Sequence, residues 1–263
     1  MTAIEIQPHT DVQVSVAGKA IRLLKGGSGP ALVTLHHSTG SIGWLPLHEK
    51  LSERFTVYVP DMPGYGQSER PEWARDARDI AILINQAMGK LGLDGVTLAG
   101  FGFGGFVAAE LASMQSGRVA KLVLVGAAGM QPSSGEIMDA MLMDFVEYVE
   151  AGFHDKPSFE AVFGTTVDAS LKELWDFSRE MSARLSWKPY MFNRRLAQTL
   201  QEVTTPALII YGSEDRVIPP VCGSQYKAAL QNSRLELLKG LGHYVEYEDA
   251  DRVASLITDF ARS

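Results

Sequence analysis

Residues 95–110 read Gly-Val-Thr-Leu-Ala-Gly-Phe-Gly-Phe-Gly-Gly-Phe-Val-Ala-Ala-Glu. The short apolar run 96–99 is typical of a strand that is buried on both faces of a parallel sheet. The glycines that follow it give the backbone the freedom to make a sharp turn, and the alanine-rich stretch beyond them favours a helix. The stretch therefore predicts a strand, a tight turn and a helix in direct succession.

Similar alternation extends along the chain and predicts an α/β fold. Residues 12–16 and 21–24 indicate an opening antiparallel pair of strands. Near-continuous apolar runs follow at residues 31–35, 55–59, 96–99, 122–125, 208–211 and 235–238, with helical patterns at about 75–92, 104–115, 223–231 and 249–261. This order is typical of a doubly wound, mostly parallel sheet with right-handed crossovers.

Residues 131–200 interrupt that alternation. The segment contains no clear strand pattern and, with the boundary residue Met130, carries six of the ten methionines. We predict a helical lid at 131–200 over the carboxyl ends of the strands, where open α/β sheets bind ligands. Residues 1–130 and 201–263 form the predicted core. Methionine fills gaps in apolar cores, and it also lines adaptable apolar cavities.

Composition limits the classes of partner. The chain has 263 residues, 46% of them hydrophobic and 21% charged, which is typical of a packed globular protein. A net charge of −7 argues against nucleic acid or an anionic membrane surface as partner. No spacing of His, Cys or carboxylate residues resembles a metal site, so we expect no cofactor. A small apolar molecule is the predicted partner, and a homodimer is left open.

Cysteine usage and the first residues bear on the compartment. Cys222 is the single cysteine, which excludes an internal disulfide and favours a reducing environment. Residues 1–10 have neither the basic start nor the apolar centre of a signal peptide. Glu110 interrupts the apolar stretch that follows Gly104, so no segment is predicted to span a membrane. The sequence predicts a cytoplasmic protein.

Gly100, Gly102 and Gly104 fit the spacing of the G-x-S-x-G turn, in which a serine nucleophile stands between a strand and a helix. Gly102 occupies the position of that serine. The backbone there usually has a positive φ, so glycine relieves about 1–2 kcal/mol of strain and costs about 0.5–1 kcal/mol in chain entropy. Stability therefore neither explains Gly102 nor forbids it.

Three explanations of Gly102 stay open. A native serine was deliberately replaced, since Gly-Phe-Ser-Phe-Gly-Gly would be an ordinary turn of this kind. Alternatively, a natural enzyme works without this nucleophile, or the protein has kept a pocket and lost catalysis.

Four further motifs accompany this turn. Residues 35–40 read Leu-His-His-Ser-Thr-Gly, residues 60–68 read Pro-Asp-Met-Pro-Gly-Tyr-Gly-Gln-Ser, residues 211–219 read Tyr-Gly-Ser-Glu-Asp-Arg-Val-Ile-Pro, and residues 242–248 read Gly-His-Tyr-Val-Glu-Tyr-Glu. In this order they resemble the H-G-x-x-G loop, the D-x-x-G-x-G-x-S turn, the acid turn and the histidine loop of the α/β-hydrolase family. The resemblance covers the chain from end to end and implies that fold.

The resemblance implies that Asp215 and His243 form the acid–histidine pair of the site. A carboxylate at the end of one strand can orient the imidazole of the next loop and stabilise its protonated form. Each residue also has an ordinary alternative, Asp215 as a turn former and His243 as a loop histidine. Asp61 is interpreted as the structural anchor of its Pro-Gly turn.

The first loop departs from the family pattern, because His37 stands where glycine usually follows the first histidine. By position, the backbone N–H groups of Ser38 and Phe103 form the predicted oxyanion hole. The Ser38 hydroxyl is an alternative, displaced nucleophile, although it lacks the sharp turn that would aim it at His243. Candidate substrate contacts are His37, Trp187, Arg195 and Tyr244.

Residues 242–251 are also similar to the histidine loop of the meta-cleavage-product C–C hydrolases. Tyr247 stands where that group often has tryptophan, and the arginine that holds the substrate carboxylate there corresponds to Arg194 or Arg195, whose alternative role is a solvated charge. Epoxide hydrolases and dehalogenases would require aspartate at position 102 and are disfavoured.

We predict an enzyme that acts on a small apolar carbonyl compound. If Gly102 replaces a native serine, the reaction is hydrolysis of an ester or a C–C bond. Otherwise His243 and Asp215 act as a general base in hydrolysis, lyase or tautomerase chemistry. The rival hypothesis is a ligand receptor or pseudoenzyme that does not catalyse a reaction.

Overall fold

A computed structural model describes residues 9–263, and its centre is an eight-stranded sheet. The strands are β1 (Thr10–Val16), β2 (Lys19–Gly26), β3 (Ala31–Leu35), β4 (Thr56–Pro60), β5 (Val96–Phe101), β6 (Val119–Val125), β7 (Ala207–Gly212) and β8 (Ser233–Leu238). Their spatial order is β1-β2-β4-β3-β5-β6-β7-β8. The pairs β1–β2 and β2–β4 are antiparallel and all later pairs are parallel. The predicted fold class is confirmed.

Helices cover both faces of the sheet. They are α1 (Pro46–Ser52), α2 (Ala77–Lys90), α3 (Phe103–Ser113), α4 (Phe145–Ala151), α5 (Lys156–Phe163), α6 (Ala169–Ser186), α7 (Leu196–Thr199), α8 (Val221–Ala229), α9 (Val245–Glu248) and α10 (Ala250–Arg262). Apolar residues of α2, α3 and α8 share one core, and those of α1 and α10 share the other. Strands β5 and β7 are buried along their whole length, as their unbroken apolar runs predict.

Aspartate side chains begin five of these helices. Each accepts a hydrogen bond from a backbone N–H of the first turn, which satisfies a donor that has no partner within the helix. The capping residues are Asp76, Asp144, Asp155, Asp168 and Asp249. Three of them stand before α4, α5 and α6, so local sequence determines where those helices begin.

The segment between β6 and β7 contains α4 to α7 and lies against the carboxyl ends of the strands. The Ser182 hydroxyl of α6 donates to the carbonyl of Ser38, 3.0 Å away, and its Oγ lies 2.9 Å from the Tyr65 hydroxyl. The N–H of His243 donates to the carbonyl of Gly152 at the end of α4, over 2.6 Å. Among residues 9–263, no helix is long and apolar enough to cross a bilayer.

Candidate active site

The turn after β5 has the backbone geometry that the glycine pattern predicts. Gly102 has φ +52° and ψ −114°, a left-handed conformation that glycine adopts without strain. Its N–H donates to the Val125 carbonyl over 2.9 Å, and its carbonyl accepts from Ala128 N–H over 3.0 Å. A Cβ on Gly104 would collide with the Leu35 carbonyl, so glycine lets α3 pack directly on β3. The turn therefore presents residue 102 at the end of β5.

Asp215 and His243 come together at this turn. The Nδ1–H of His243 donates to Asp215 Oδ2 over 2.8 Å, and both side chains are buried. The other oxygen, Oδ1, accepts from the N–H groups of Val217 (2.9 Å) and Ile218 (2.8 Å). Asp215 is thus both a turn former and the partner of the histidine. This arrangement leaves Nε2 of His243 as a hydrogen-bond acceptor directed towards Gly102.

Two glycines outside the predicted site hold the His243 loop in place. A Cβ on Gly126, at the end of β6, would lie 3.0 Å from His243 Nδ1, so a larger residue would press on the imidazole. Gly152 accepts hydrogen bonds from the N–H groups of His243 (2.6 Å) and Tyr244 (3.3 Å). The loop is therefore fixed from the sheet side and from α4.

The imidazole of His37 occupies the space that a side chain at position 102 would need. A Cβ built on Gly102 would lie closer than 3.0 Å to His37 Nδ1 and 3.1 Å from His243 Nε2. Real side chains do not approach that closely, so a serine at 102 would require His37 to move. The glycine at 102 and the histidine at 37 are thus sterically matched to each other.

A second carboxylate holds His37. Nε2 of His37 lies 2.8 Å from Oε1 of Glu246, which belongs to the short helix α9. Both side chains are buried, and two of their polar atoms, Nδ1 of His37 and Oε2 of Glu246, have no hydrogen-bond partner in the described part of the chain. Two histidine–carboxylate pairs therefore meet at Gly102.

Burial changes the proton affinity of the second pair. Desolvation raises the pKa of Glu246 to about 8 and holds the pKa of His37 well below its usual value. Below pH 8 the pair therefore carries one proton more than a carboxylate with a neutral imidazole. Whether that proton resides on Glu246 or on His37 Nε2, the other imidazole proton is on Nδ1. Nδ1–H is then a donor directed at Gly102.

Glu246 gives the protein a pH-dependent stability. Its pKa is higher in the folded chain than in the unfolded one, so the folded state binds the extra proton and loses stability as pH rises towards 8. Between pH 7 and pH 8 we expect the free energy of unfolding to fall, with a slope of at most about 1.4 kcal/mol per pH unit. Urea unfolding at several pH values measures it.

Glu246→Gln is the matched variant, because it keeps the size of the side chain and cannot ionise. Burial lowers the pKa values of His36, His37 and His48, so near pH 7 these histidines bind protons mainly in the unfolded chain and add a small rise in stability with pH. The free energy of unfolding of the variant should therefore not fall between pH 7 and pH 8, whereas that of the wild type should. An equal slope in both proteins would show that Glu246 is ionised at neutral pH.

The first loop is shaped by His36. Its Nδ1–H donates to the His37 carbonyl over 2.7 Å, and its Nε2 accepts from Met62 N–H over 3.0 Å. Ser38 is buried in this loop, and Phe103 is the first residue of α3, where backbone N–H groups have no helical partner. The two N–H groups remain our candidates for the oxyanion hole.

Asp61 has the structural role that the sequence predicts. Its Oδ2 accepts from Gln67 N–H over 2.9 Å and lies 3.4 Å from Arg22, and its carbonyl accepts from the Ser68 hydroxyl over 2.6 Å. The side chain stabilises its own turn.

The candidate substrate contacts divide into two places. Tyr244 is buried against the site, with its ring centre 4.7 Å from that of His37 and 5.2 Å from that of His243. Trp187 is exposed and lies with Arg195 in a groove of about 750 Å³. That groove is lined by residues of α2, α3 and the end of α6, and neither pair of the site reaches it. We therefore leave Trp187 and Arg195 out of the site.

Glu246 is the functional candidate that sequence reasoning did not single out. It lies 209 residues from His37 in the chain, and no local pattern connects the two. The signal in the sequence is a pair of departures from the family pattern, histidine in place of glycine at 37 and glycine in place of serine at 102. The three-dimensional structure explains the two departures together, because the two positions lie in contact. Within residues 9–263, no cluster of three or more His, Cys, Asp or Glu side chains could hold a metal ion.

Comparison with known proteins identifies the class. The sequence profile of the alpha/beta hydrolase family matches residues 32–256. The chain belongs to that family.

Named relatives of the chain are hydrolases. It is 28% identical to a 2-hydroxymuconate semialdehyde hydrolase of Pseudomonas sp. (strain CF600), over 99% of this chain and 96% of that protein. Its fold is similar to that of a 2-hydroxy-6-oxo-6-phenylhexa-2,4-dienoate hydrolase from Rhodococcus sp. strain RHA1, with a TM-score of 0.79, 22% identity, and 98% and 100% of the two chains covered. The esterase RhEst1 from Rhodococcus sp. ECU1013 gives 0.77 and 23%, with 97% and 98% covered. At these identities the two structures demonstrate a shared fold.

Proposed function

We propose that this protein is a cofactor-independent hydrolase in which His243, oriented by Asp215, acts as general base on a small apolar carbonyl compound. The observation that carries the proposal is the 2.8 Å contact between the two side chains, beside a turn whose nucleophile position is glycine. Nε2 of His243 is the nitrogen of this pair that remains able to act as a base, and it points towards Gly102.

The fit between Gly102 and His37 supports a site that works without serine. A deliberately replaced serine would leave space beside His243, whereas here the His37 imidazole takes that space and Glu246 fixes it. Placing a serine back would overpack a buried site. The natural enzyme without a nucleophile is therefore the explanation that the packing favours.

The chemistry follows from the positions of the donors and acceptors. Nε2 of His243 removes a proton from water, and the resulting hydroxide attacks the carbonyl carbon. The N–H groups of Ser38 and Phe103 stabilise the negative charge that develops on the carbonyl oxygen. Collapse of the tetrahedral species breaks the ester or C–C bond, with no acyl-enzyme formed.

The lining favours an apolar substrate. Tyr244 packs on both imidazoles, and Phe153 packs on Tyr244 with a centroid distance of 5.4 Å. Tyr148 of α4 is buried on the same side. Two of the hydrolases named above act on dienoate or semialdehyde compounds, which supports conjugated carbonyl acids and small esters as the first substrates to assay.

Asp215→Asn tests the proposal, since it keeps the shape of the side chain and removes the charge that orients and stabilises the His243 imidazolium. We expect turnover of benzyl acetate, 4-nitrophenyl acetate and a 2-hydroxy-6-oxo-dienoate to fall by about 100-fold, the contribution of a positioned base. Steady-state rates at pH 7, with circular dichroism as a check of folding, measure it. The exposed neighbour Glu214→Gln is the matched control and should keep the wild-type rate.

Two further observations separate this function from its rivals. The wild-type protein should show no burst of product and no labelling by a fluorophosphonate, because it lacks an activated serine. Ligand binding with no turnover of any of the three substrates would instead identify a receptor, the rival hypothesis.

A further inference from the structure

We propose that His37 is a second catalytic residue, the acid that protonates the leaving group while His243 acts as base, and that Glu246 supplies its proton. The inference rests on the proposed function and adds a partner to it. Two histidines meet where a hydrolase of this family would hold one serine.

The two imidazoles face each other across Gly102. Their ring centres are 4.8 Å apart and their planes are inclined by 65°. Each ring is bound through one nitrogen to a buried carboxyl group, His243 to Asp215 and His37 to Glu246, both over 2.8 Å. The remaining nitrogens, Nε2 of His243 and Nδ1 of His37, are the atoms nearest to a Cβ placed on Gly102. The two nitrogens therefore converge on the same spot beside Gly102.

The second pair has features that a purely structural pair does not need. Nδ1 of His37 and Oε2 of Glu246 are buried without a partner in the described part of the chain, and an unpaired buried polar atom is unfavourable. Such atoms in a folded protein call for an explanation, and a catalytic role is one of the few available. His48 shows the contrast, because its two ring nitrogens contact Thr34 Oγ1 and Leu45 N–H.

The two histidine–carboxylate pairs differ in protonation at the nitrogen that faces Gly102. Nε2 of His243 is bare because Nδ1 carries the hydrogen that is donated to Asp215. Nδ1 of His37 carries a hydrogen as long as its pair with Glu246 keeps its extra proton, which burial favours below pH 8. One histidine is therefore ready to accept a proton and the other to give one.

The proton transfers balance in hydrolysis. His243 takes a proton from water, and the hydroxide adds to the carbonyl carbon. As the bond to the leaving oxygen or carbon breaks, that atom takes the proton from His37 Nδ1, and the Glu246 proton remains on or moves to His37 Nε2. His243 then holds one extra proton and the His37–Glu246 pair lacks one. Transfer from His243 Nε2 to the facing His37 Nδ1 restores both.

Solvent can also return a proton to the His37–Glu246 pair. A cavity of about 30 Å³ is lined by His36, His37, Glu246 and Tyr247, together with residues of the loop that follows β3. That volume is sufficient for a water molecule when polar partners are present. Glu246 is therefore within reach of water through this cavity.

The groups that set the titration of the pair come from every element around it. They are His36 of the first loop, Asp215 after β7, and His243, Tyr244 and Tyr247 in the histidine loop and α9, with Tyr148 of α4 acting on Tyr244. Burial raises the pKa values of the three tyrosines, so they stay neutral. His243 favours the charged form of Glu246 and Asp215 opposes it, so Asp215 must be present when the titration is measured.

The decisive kinetic test compares two esters that differ in their need for an acid. Hydrolysis of benzyl acetate releases benzyl alkoxide, which must be protonated as it leaves. Hydrolysis of 4-nitrophenyl acetate releases 4-nitrophenolate, which is stable without a proton. His37→Gln keeps an amide near Glu246 and removes the Nδ1 donor. We expect this variant to lose about 100-fold in kcat on benzyl acetate and less than tenfold on 4-nitrophenyl acetate. An equal loss on both esters would overturn the proposal and assign His37 a packing role.

His154→Gln is the matched control, since His154 and Glu248 form another histidine–glutamate contact, 2.6 Å long, outside the site. It should change the two rates equally and by a small factor. Failure of the proposed function itself would give a different result. In that case His243→Ala would hydrolyse both esters at the wild-type rate.

A spectroscopic measurement tests the proton without any substrate. In protein labelled with ¹⁵N-histidine, the His37 signal, identified by its loss in His37→Gln, should show a protonated Nδ1 at pH 7. The signal should change near pH 8 in the wild type, where Glu246 loses its proton, and show no such step in Glu246→Gln. A bare Nδ1 at pH 7 would overturn the assignment of His37 as the acid.

Discussion

Replacing His243 with alanine should lower turnover of all three substrates by about 1,000-fold, within the range that a positioned general base supplies. Asp215 holds His243 through Nδ1 and so directs the acceptor Nε2 towards Gly102. The Asp215 carboxylate itself does not face Gly102. Steady-state kinetics at pH 7 measure the loss. The smaller side chain leaves a cavity, so free energies of unfolding must accompany the rates.

Added imidazole provides the internal control for this variant. A diffusing base that enters the space left by the side chain should restore part of the rate in His243→Ala and have no effect on the wild type. Unchanged turnover in the variant would contradict the role of His243 and, with it, the proposed function.

The second large effect concerns positions 37 and 102 together. Gly102→Ser alone should destabilise the protein by about 1–3 kcal/mol, because the new side chain overlaps the His37 imidazole. His37→Gly in the same chain removes the overlap and rebuilds the pattern of the family, with serine beside His243. We expect this double variant to hydrolyse 4-nitrophenyl acetate about 100-fold faster than Gly102→Ser. Rates, a burst of nitrophenolate and fluorophosphonate labelling measure the change.

His37→Gly alone is the control, since it opens the same space and leaves Glu246 without its partner but adds no nucleophile. It should show neither burst nor labelling. A gain of orders of magnitude from Gly102→Ser by itself would contradict the steric argument and identify Gly102 as a substitute for a native serine.

The architecture could be predicted from the sequence because its determinants are local. Unbroken apolar runs place β5 and β7, and the glycines after β5 determine both the left-handed turn at Gly102 and the close packing of α3. The acid turn and the histidine loop could be located for the same reason, since each is a short motif at the end of a strand.

The contents of the site could be predicted only in part. His37 was expected as a substrate contact, yet its packing against position 102 depends on β3 and β5 lying side by side. Glu246 reaches His37 across the site from a single helical turn that has no strong signal of its own. Trp187 and Arg195 lie in a groove apart from the two histidine–carboxylate pairs, a placement that the composition of a helical insertion does not reveal.

The hydrogen bond from His243 N–H to the carbonyl of Gly152 ties the general base to the segment above it. Arg216, next to Asp215, adds a second tie by donating to the Ala151 carbonyl over 3.2 Å. The alignment of the base therefore depends on the position of α4, although α4 contributes no side chain to either histidine–carboxylate pair.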